Sequence, residues 1–183
     1  PPEFFKWLIE TAKNKYPDLI FIAEVYKKEL YVEYIRSVGF DFLYDKSGLY
    51  DTIRTVVEKS VNDNGMPVEL WQSATGITRN WQFLGDLQPY MLNFLENHDE
   101  QRFASDFFGG DARKTFAPLY VSLYMNTAPF MIYFGEEVGE RGMDEEGFSG
   151  CDGRTTIFDW WSIGSIRRLR KLIASGSYES TSA

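Results

Sequence analysis

Leu92-Asn93-Phe94-Leu95-Glu96-Asn97-His98-Asp99-Glu100-Gln101-Arg102 passes from apolar to polar within a few residues and holds the only histidine of the chain. A short apolar run that breaks abruptly into amide, imidazole and carboxyl groups has the pattern of a buried strand whose end opens into a site. A similar strand end stands at Leu19–Tyr26, where Ile20-Phe21-Ile22-Ala23 runs directly into Glu24.

Outward from these two segments, strands alternate with helices. Pro2–Tyr16 reads as a helix with Phe4, Phe5, Leu8, Ile9 and Ala12 at helical spacing, and with proline near its start, where a missing N–H costs nothing. Leu19–Ala23 reads as a strand buried on both faces. A helix over Glu29–Val38 stops at Gly39, and Phe40–Tyr44 is a second strand. A helix around Leu49–Lys59 and the turn Asn62-Asp63-Asn64-Gly65 follow. Pro67–Gln82 reads either as helix or as ordered loop. Leu92–Leu95 is the third strand, Asp111 caps a helix running to about Asn126, and Phe130–Phe134 is the fourth strand. A Gly-rich acidic loop reaches about Gly153, Ile163–Ile173 is the last helix, and Ser175–Ala183 is a polar tail. This order predicts an α/β fold with a parallel sheet, in one domain over 1–174 followed by the tail. Three of the four strands end in polar or charged residues at the C-terminal side, where parallel α/β folds build their sites.

The composition excludes several classes of function. The 183 residues carry a net charge of −8 with 19 Lys plus Arg, a balance that argues against a nucleic-acid surface and against binding to an anionic membrane. No run approaches the roughly 18–20 apolar residues of a membrane span. Cys151 is the single cysteine, so neither an intrachain disulfide nor a Cys/His zinc cluster can form. The compartment stays open. The chain starts at Pro1-Pro2 without initiator Met or signal segment, as a processed chain or an excerpt of a longer one would. Aromatics reach 17%, a share that suits a large core and also surfaces on which sugar rings stack.

Glu24 is the first candidate for chemistry. A carboxyl at the mouth of an apolar strand is expected to be partly desolvated, which suits a general acid; the same position also suits a surface glutamate just past a strand. Asp99 is the second, with Asn97 and His98 as neighbours that can fix its rotamer and share a ligand's hydroxyls. A helix N-cap beside a buried histidine would also account for it. Two carboxylates at two strand ends are what acid-assisted glycoside cleavage needs. Glu136 and Glu137 are close enough in sequence to repel and shift a pKa, although one of such a pair usually faces solvent while the other caps or pairs. Tyr26, Trp71, Trp81, Trp160 and Trp161 are candidates for stacking on sugars. Asp144-Glu145-Glu146 reads as a solvated acidic loop.

Ile22-Ala23-Glu24-Val25-Tyr26, then Phe94-Leu95-Glu96-Asn97-His98-Asp99, then Tyr133-Phe134-Gly135-Glu136-Glu137, in that order, resemble the α-amylase family, glycoside hydrolase family 13. Gly153-Arg154-Thr155-Thr156-Ile157-Phe158-Asp159-Trp160 is similar to the family's loop after the eighth barrel strand. The resemblance implies a TIM-type (β/α)8 barrel and retaining hydrolysis or transfer at α-glucosidic bonds of starch-like glucans or maltooligosaccharides. It implies Glu24 as acid/base, Asp99 as transition-state stabiliser, His98 as the residue that hydrogen-bonds the same sugar and Asn97 as support for Asp99; Tyr26, two residues after Glu24, is the substrate-binding candidate among the aromatics. It points to no cofactor and leaves a calcium ion open for the full-length protein, because the family's usual ligands lie largely upstream.

The family's nucleophile, an aspartate at the end of the fourth strand two residues after an arginine, has no counterpart here. Pro1-Pro2-Glu3-Phe4-Phe5 is similar to the start of the helix after that strand. On this resemblance the four strands correspond to strands five to eight, the second half of a barrel that usually needs about 250 residues. On the same resemblance, the β-sandwich that usually follows the barrel is expected to lie outside this chain. A half barrel exposes sheet edges and an apolar flank, so the chain is expected to self-associate, to pair with the other half, or to be marginally stable. Alone it is expected to be almost inactive. The alternative expectation is a non-catalytic, α-glucan-binding half barrel.

Overall fold

The computed structural model describes residues 1–58, 74–142, 151–158 and 163–176. The Asn62–Gly65 turn, the first part of Pro67–Gln82, Trp71, Asp144-Glu145-Glu146, Trp160, Trp161 and most of the polar tail lie outside the described residues. The chain forms two compact units, Pro1–Leu95 with Pro118–Met131, and Glu96–Ala117 with Ile132–Ala183.

The first unit is built on a four-stranded sheet of β1 (Ile22–Ala23), β2 (Phe42–Tyr44), β3 (Met91–Phe94) and β4 (Phe130–Met131), in the order β1-β2-β3-β4. Every pair is parallel, with Ala23 beside Leu43, Leu43 beside Met91, and Phe94 beside Met131. Parallel neighbours require crossovers, and helical segments supply them. α1 (Pro2–Lys15) precedes the sheet, with proline in its first turn and Lys13 and Lys15 in its last. A 3-10 turn at Lys28–Leu30 and a π-helical turn at Glu33–Val38 join β1 to β2. The second crossover contains a π-helical turn (Lys46–Tyr50), α2 (Asp51–Glu58) and α3 (Thr75–Leu84). The third contains α4 (Phe116–Tyr124), preceded by a 3-10 turn at Ala112–Thr115 for which the Asp111 side chain accepts the Arg113 N–H, the cap that the sequence predicts.

Two of the strands are shorter than their apolar runs. Leu19–Ala23 was expected to be buried on both faces, but only Ile22–Ala23 is paired, and Ile22 is 47% exposed. Among the described residues β1 is an edge strand with one neighbour, and the chain just before it is held differently: the Asp41 carboxylate accepts the Phe21 N–H at 2.8 Å, and Lys13 binds the same carboxylate. The fourth strand ends at Met131 instead of Phe134 because the Tyr133 N–H donates to the Glu136 side chain at 2.9 Å. In both places a carboxyl group takes a backbone donor that a longer ladder would have used.

Leu43 and Met91, both without solvent exposure, sit in one apolar cluster with Ala23, Tyr31, Ile35 and Phe40. A second cluster gathers Leu49, Ile53 and Leu95, with Leu119, Val121 and Phe130 against it. Phe94 stacks on Tyr50 at 4.9 Å, and the Asn93 side chain donates to the Ser122 carbonyl at 3.0 Å, tying β3 to α4. Leu43→Ala opens a cavity beneath the middle of the sheet and is expected to cost about 2–5 kcal/mol in denaturant unfolding. Trp7→Ala, at a side chain 60% exposed on α1, is expected to change stability by no more than about 0.5 kcal/mol.

Candidate functional site

In the second unit the polar half of the opening sequence folds into a closed loop. Glu96 and Arg102 are both buried, and the Arg102 side chain has no solvent exposure. Arg102 Nη1 donates to Glu96 Oε2 at 2.7 Å, and the Phe103 N–H donates to Glu96 Oε1 at 2.7 Å. Both oxygens of one carboxylate thus grip the far end of the loop. Burial pushes the Glu96 carboxyl up, against the pull of the Arg102 charge and these two hydrogen bonds.

Arg102 also ties this loop to two others. Nη2 donates to the Phe134 carbonyl at 2.7 Å and Nε to Thr155 Oγ1 at 3.1 Å, while the guanidinium lies 4.3 Å from the centroid of the Tyr133 ring. The Arg102 N–H donates to the Gly153 carbonyl at 2.7 Å, beside an antiparallel bridge between Gln101 and Arg154.

Inside the loop, buried Asn97 makes a smaller ring. Its Oδ1 accepts the N–H groups of Asp99 and Glu100, each at 2.9 Å. This local turn presents His98 and Asp99, whose side chains are 44% and 57% exposed and stand 3.3 Å apart, Nε2 to Oδ2. No helix begins at Asp99, so the capping explanation does not hold, and His98 is not a buried core imidazole. Both line a cavity of about 470 Å³ together with Asp152, Arg154, Thr156 and Phe158.

Glu136 and Glu137 behave differently from a mutually repelling pair. Glu137 is exposed and accepts the Gly135 N–H at 2.9 Å. Burial first, and the charge of Glu96 second, push the Glu136 carboxyl up to about 8; Glu137 is a lesser cause. The sequence placed these acids at a strand end, but nothing in it revealed that Glu96 would be the neighbour that matters. Glu96 and Arg102 carry no role that the sequence alone makes legible. A charged residue on each side of Asn97-His98-Asp99 was the available signal.

In the first unit Glu24 lies just past β1 and receives a hydrogen bond from the Tyr26 hydroxyl. Glu24 is exposed, which corrects the expected desolvation: the edge strand that carries it is itself half open. Glu24, Tyr26, Tyr34 and Phe40 line a cavity of about 410 Å³. Beyond it, Lys28 donates to Asn80, which donates to Asp45, a carboxylate 1% exposed that burial pushes up. Glu24 and Tyr26 therefore belong to one unit, and Asn97, His98 and Asp99 to the other. Among the described residues, no cluster of three or more His, Cys, Asp or Glu side chains could hold a metal ion.

The family model for the alpha amylase catalytic domain matches residues 2–167. The chain belongs to the alpha-amylase family. An alpha-1,4-glucan:maltose-1-phosphate maltosyltransferase of Rhodospirillum rubrum is 38% identical over 55 residues, which is 30% of this chain and 7% of that protein. A cyclic alpha-maltosyl-(1→6)-maltose hydrolase of Arthrobacter globiformis, solved in complex with maltose, is similar with a TM-score of 0.60. Its ligand-free form gives 0.58; each is 22% identical, over 95% of this chain and 37% of that one. At this identity the likeness shows the fold, a parallel α/β sheet of the amylase-domain type. The chain spans well under half the length of these relatives.

Arg102→Met removes the partner of a buried carboxylate and leaves acceptors from three loops without their donor. A loss of about 3–5 kcal/mol is expected in chemical denaturation. Arg113→Ala, at a side chain 85% exposed, breaks only a surface pair and should be near neutral.

Proposed function

We propose that this chain supplies the proton donor and the transition-state stabiliser of a retaining enzyme acting on α-glucosidic bonds of maltooligosaccharides or starch-like glucans. The observation that carries the reading is the Glu96–Phe103 loop. A family-matching segment is closed by a buried ion pair and presents an exposed carboxylate and a partly exposed imidazole to a cavity of about 470 Å³. We read Glu24 as the acid/base, with the Tyr26 hydroxyl orienting its carboxyl and the Tyr26 ring available to a sugar. Asp99 and His98 hold hydroxyls of the reacting sugar, and Asn97 fixes the backbone that carries them.

The chemistry follows from these roles. Glu24 protonates the leaving glycosidic oxygen as the C–O bond breaks, and Asp99 strengthens its hold on the sugar as positive charge develops. A nucleophilic carboxylate, assigned here to residues outside these 183, forms the glycosyl-enzyme ester. Glu24, now ionised, takes a proton from water or from an acceptor hydroxyl, which attacks and releases the sugar. In the same reading β1 to β4 are strands five to eight of the barrel, 1–174 is a partial catalytic domain, and the exposed edges join the remaining strands or a second copy.

In the full enzyme, Glu24→Gln and Asp99→Asn are each expected to lower kcat on maltoheptaose by about 10²–10⁴, with folding unchanged by circular dichroism. Unchanged turnover in either variant would remove that residue from the mechanism. An azide-rescued Glu24→Gly would separate loss of the proton donor from loss of the site.

A further inference from the structure

The second unit holds a buried carboxyl group that the proposed chemistry leaves unused. Glu136 sits in the turn after β4. Its Oε2 accepts the Tyr133 N–H at 2.9 Å, and its Oε1 is buried with no hydrogen-bond partner among the described residues. The turn that carries it meets Arg102 through the Phe134 carbonyl and the Tyr133 ring, and the charges that weigh most on it are Glu96, Arg102 and Glu137, with Glu140 acting in turn on Glu96. Of these four, only Arg102 is a cation.

One guanidinium balances one carboxylate, and the hydrogen bonds show which. Glu96 receives two N–H groups at 2.7 Å, one of them from Arg102 itself. Glu140 has both oxygens engaged, Oε1 by the Arg141 and Gly142 N–H groups and Oε2 by Ser165. Glu137 is exposed and accepts from Gly135. Glu136 has one backbone donor and one bare oxygen, so an ionised Glu136 would be the least compensated charge in the cluster.

We propose that Glu136 is a positioning residue that works as a neutral acid: its proton keeps Arg102 committed to Glu96, and so keeps the loop bearing His98 and Asp99 closed. When Glu136 ionises it competes with Glu96 for Arg102, and the clamp beneath Asn97-His98-Asp99 loosens. The inference rests on the reading of Asp99 and His98 as the residues that hold the sugar.

Burial and the charge of Glu96 raise this carboxyl from its ordinary 4.5 to about 8, so its proton is lost in mildly alkaline solution. The linkage has a definite sign. Below about 4.5 the folded and unfolded chains both carry the proton. Between about 4.5 and about 8 the folded chain keeps it while the unfolded chain has released it, so stability falls as pH rises. Above about 8 the contribution is constant.

The test compares the full wild-type enzyme with Glu136→Gln, by turnover of maltoheptaose and by thermal melting from about pH 5 to about pH 9. Wild type is expected to lose kcat around pH 8 with KM little changed. In E136Q that alkaline limb moves up by at least about one pH unit, and the melting temperature falls less across the range. A residue with a merely structural role would lower stability in E136Q without moving the limb, and an unmoved limb overturns the proposal. If wild type shows no turnover, the α-glucan reading fails, and the melting comparison alone decides this one: a flatter profile in the variant supports it and an identical profile overturns it. If E136Q does not fold, Glu136→Met, neutral and similar in length, carries the same expectations.

Discussion

Arg102 places a positive charge where no part of its side chain meets water, and such a charge is tolerated only when its donors are answered. Here they are answered by a carboxylate, a backbone carbonyl and a hydroxyl, each from a different loop, with an aromatic ring beside them. The consequence is geometric more than energetic. A buried ion pair contributes little net stability compared with an apolar substitute, because desolvation offsets most of the attraction. What it does supply is position, since a planar fork with fixed donor directions accepts few arrangements of the loops around it. The exposed pair His98–Asp99 lies a few residues away on the same loop and has little to hold it in place by itself. Its order comes from Glu96, Asn97 and Arg102.

The glycines around this cluster follow from the same constraint. Gly153 gives its carbonyl to the Arg102 N–H with φ at +78°, and a Cβ there would come within 2.6 Å of Ser105 Oγ. Gly135 stands at φ +98°, where a Cβ would press on Glu140 Cβ at 3.1 Å and approach Arg102 Nη2 at 3.6 Å. Both positions need a left-handed backbone and lack room for a side chain, so the loops can close on the guanidinium only where glycine occurs.

Much of the architecture was legible because hydrophobic period and turn residues are local signals. Four apolar runs separated by helical segments gave a parallel α/β sheet, and Asp111 was readable as a cap because its partner lies two residues on. Strand ends were less legible. β1 stops short where Asp41, twenty residues on, captures the Phe21 N–H, and that capture depends on which loops meet; β4 stops short where Glu136 takes the Tyr133 N–H within its own turn. The environment of each acid was the least legible. Glu24 looked desolvated from its apolar approach, yet an edge strand leaves it exposed. Glu136 and Glu137 looked coupled by adjacency, yet Glu96, forty residues earlier, outweighs Glu137. Burial and charge are properties of the folded neighbourhood, which a window of sequence does not contain.

The partners of Arg102 also explain why arginine, and not lysine, occupies the position. Glu96 Oε2, the Phe134 carbonyl and Thr155 Oγ1 are reached by three different nitrogens, Nη1, Nη2 and Nε. An ammonium group gathers its donors at one point, so it could satisfy the carboxylate or the carbonyl but would leave the others unmet. It would also lose the flat face against Tyr133, whose hydroxyl donates to the Thr155 carbonyl and so returns to the loop that Arg102 holds through Thr155 Oγ1. The cluster is thus closed on itself. Tyr133, Thr155, Glu96 and Arg102 each constrain another member, and the loop that carries Asp99 is part of that closure.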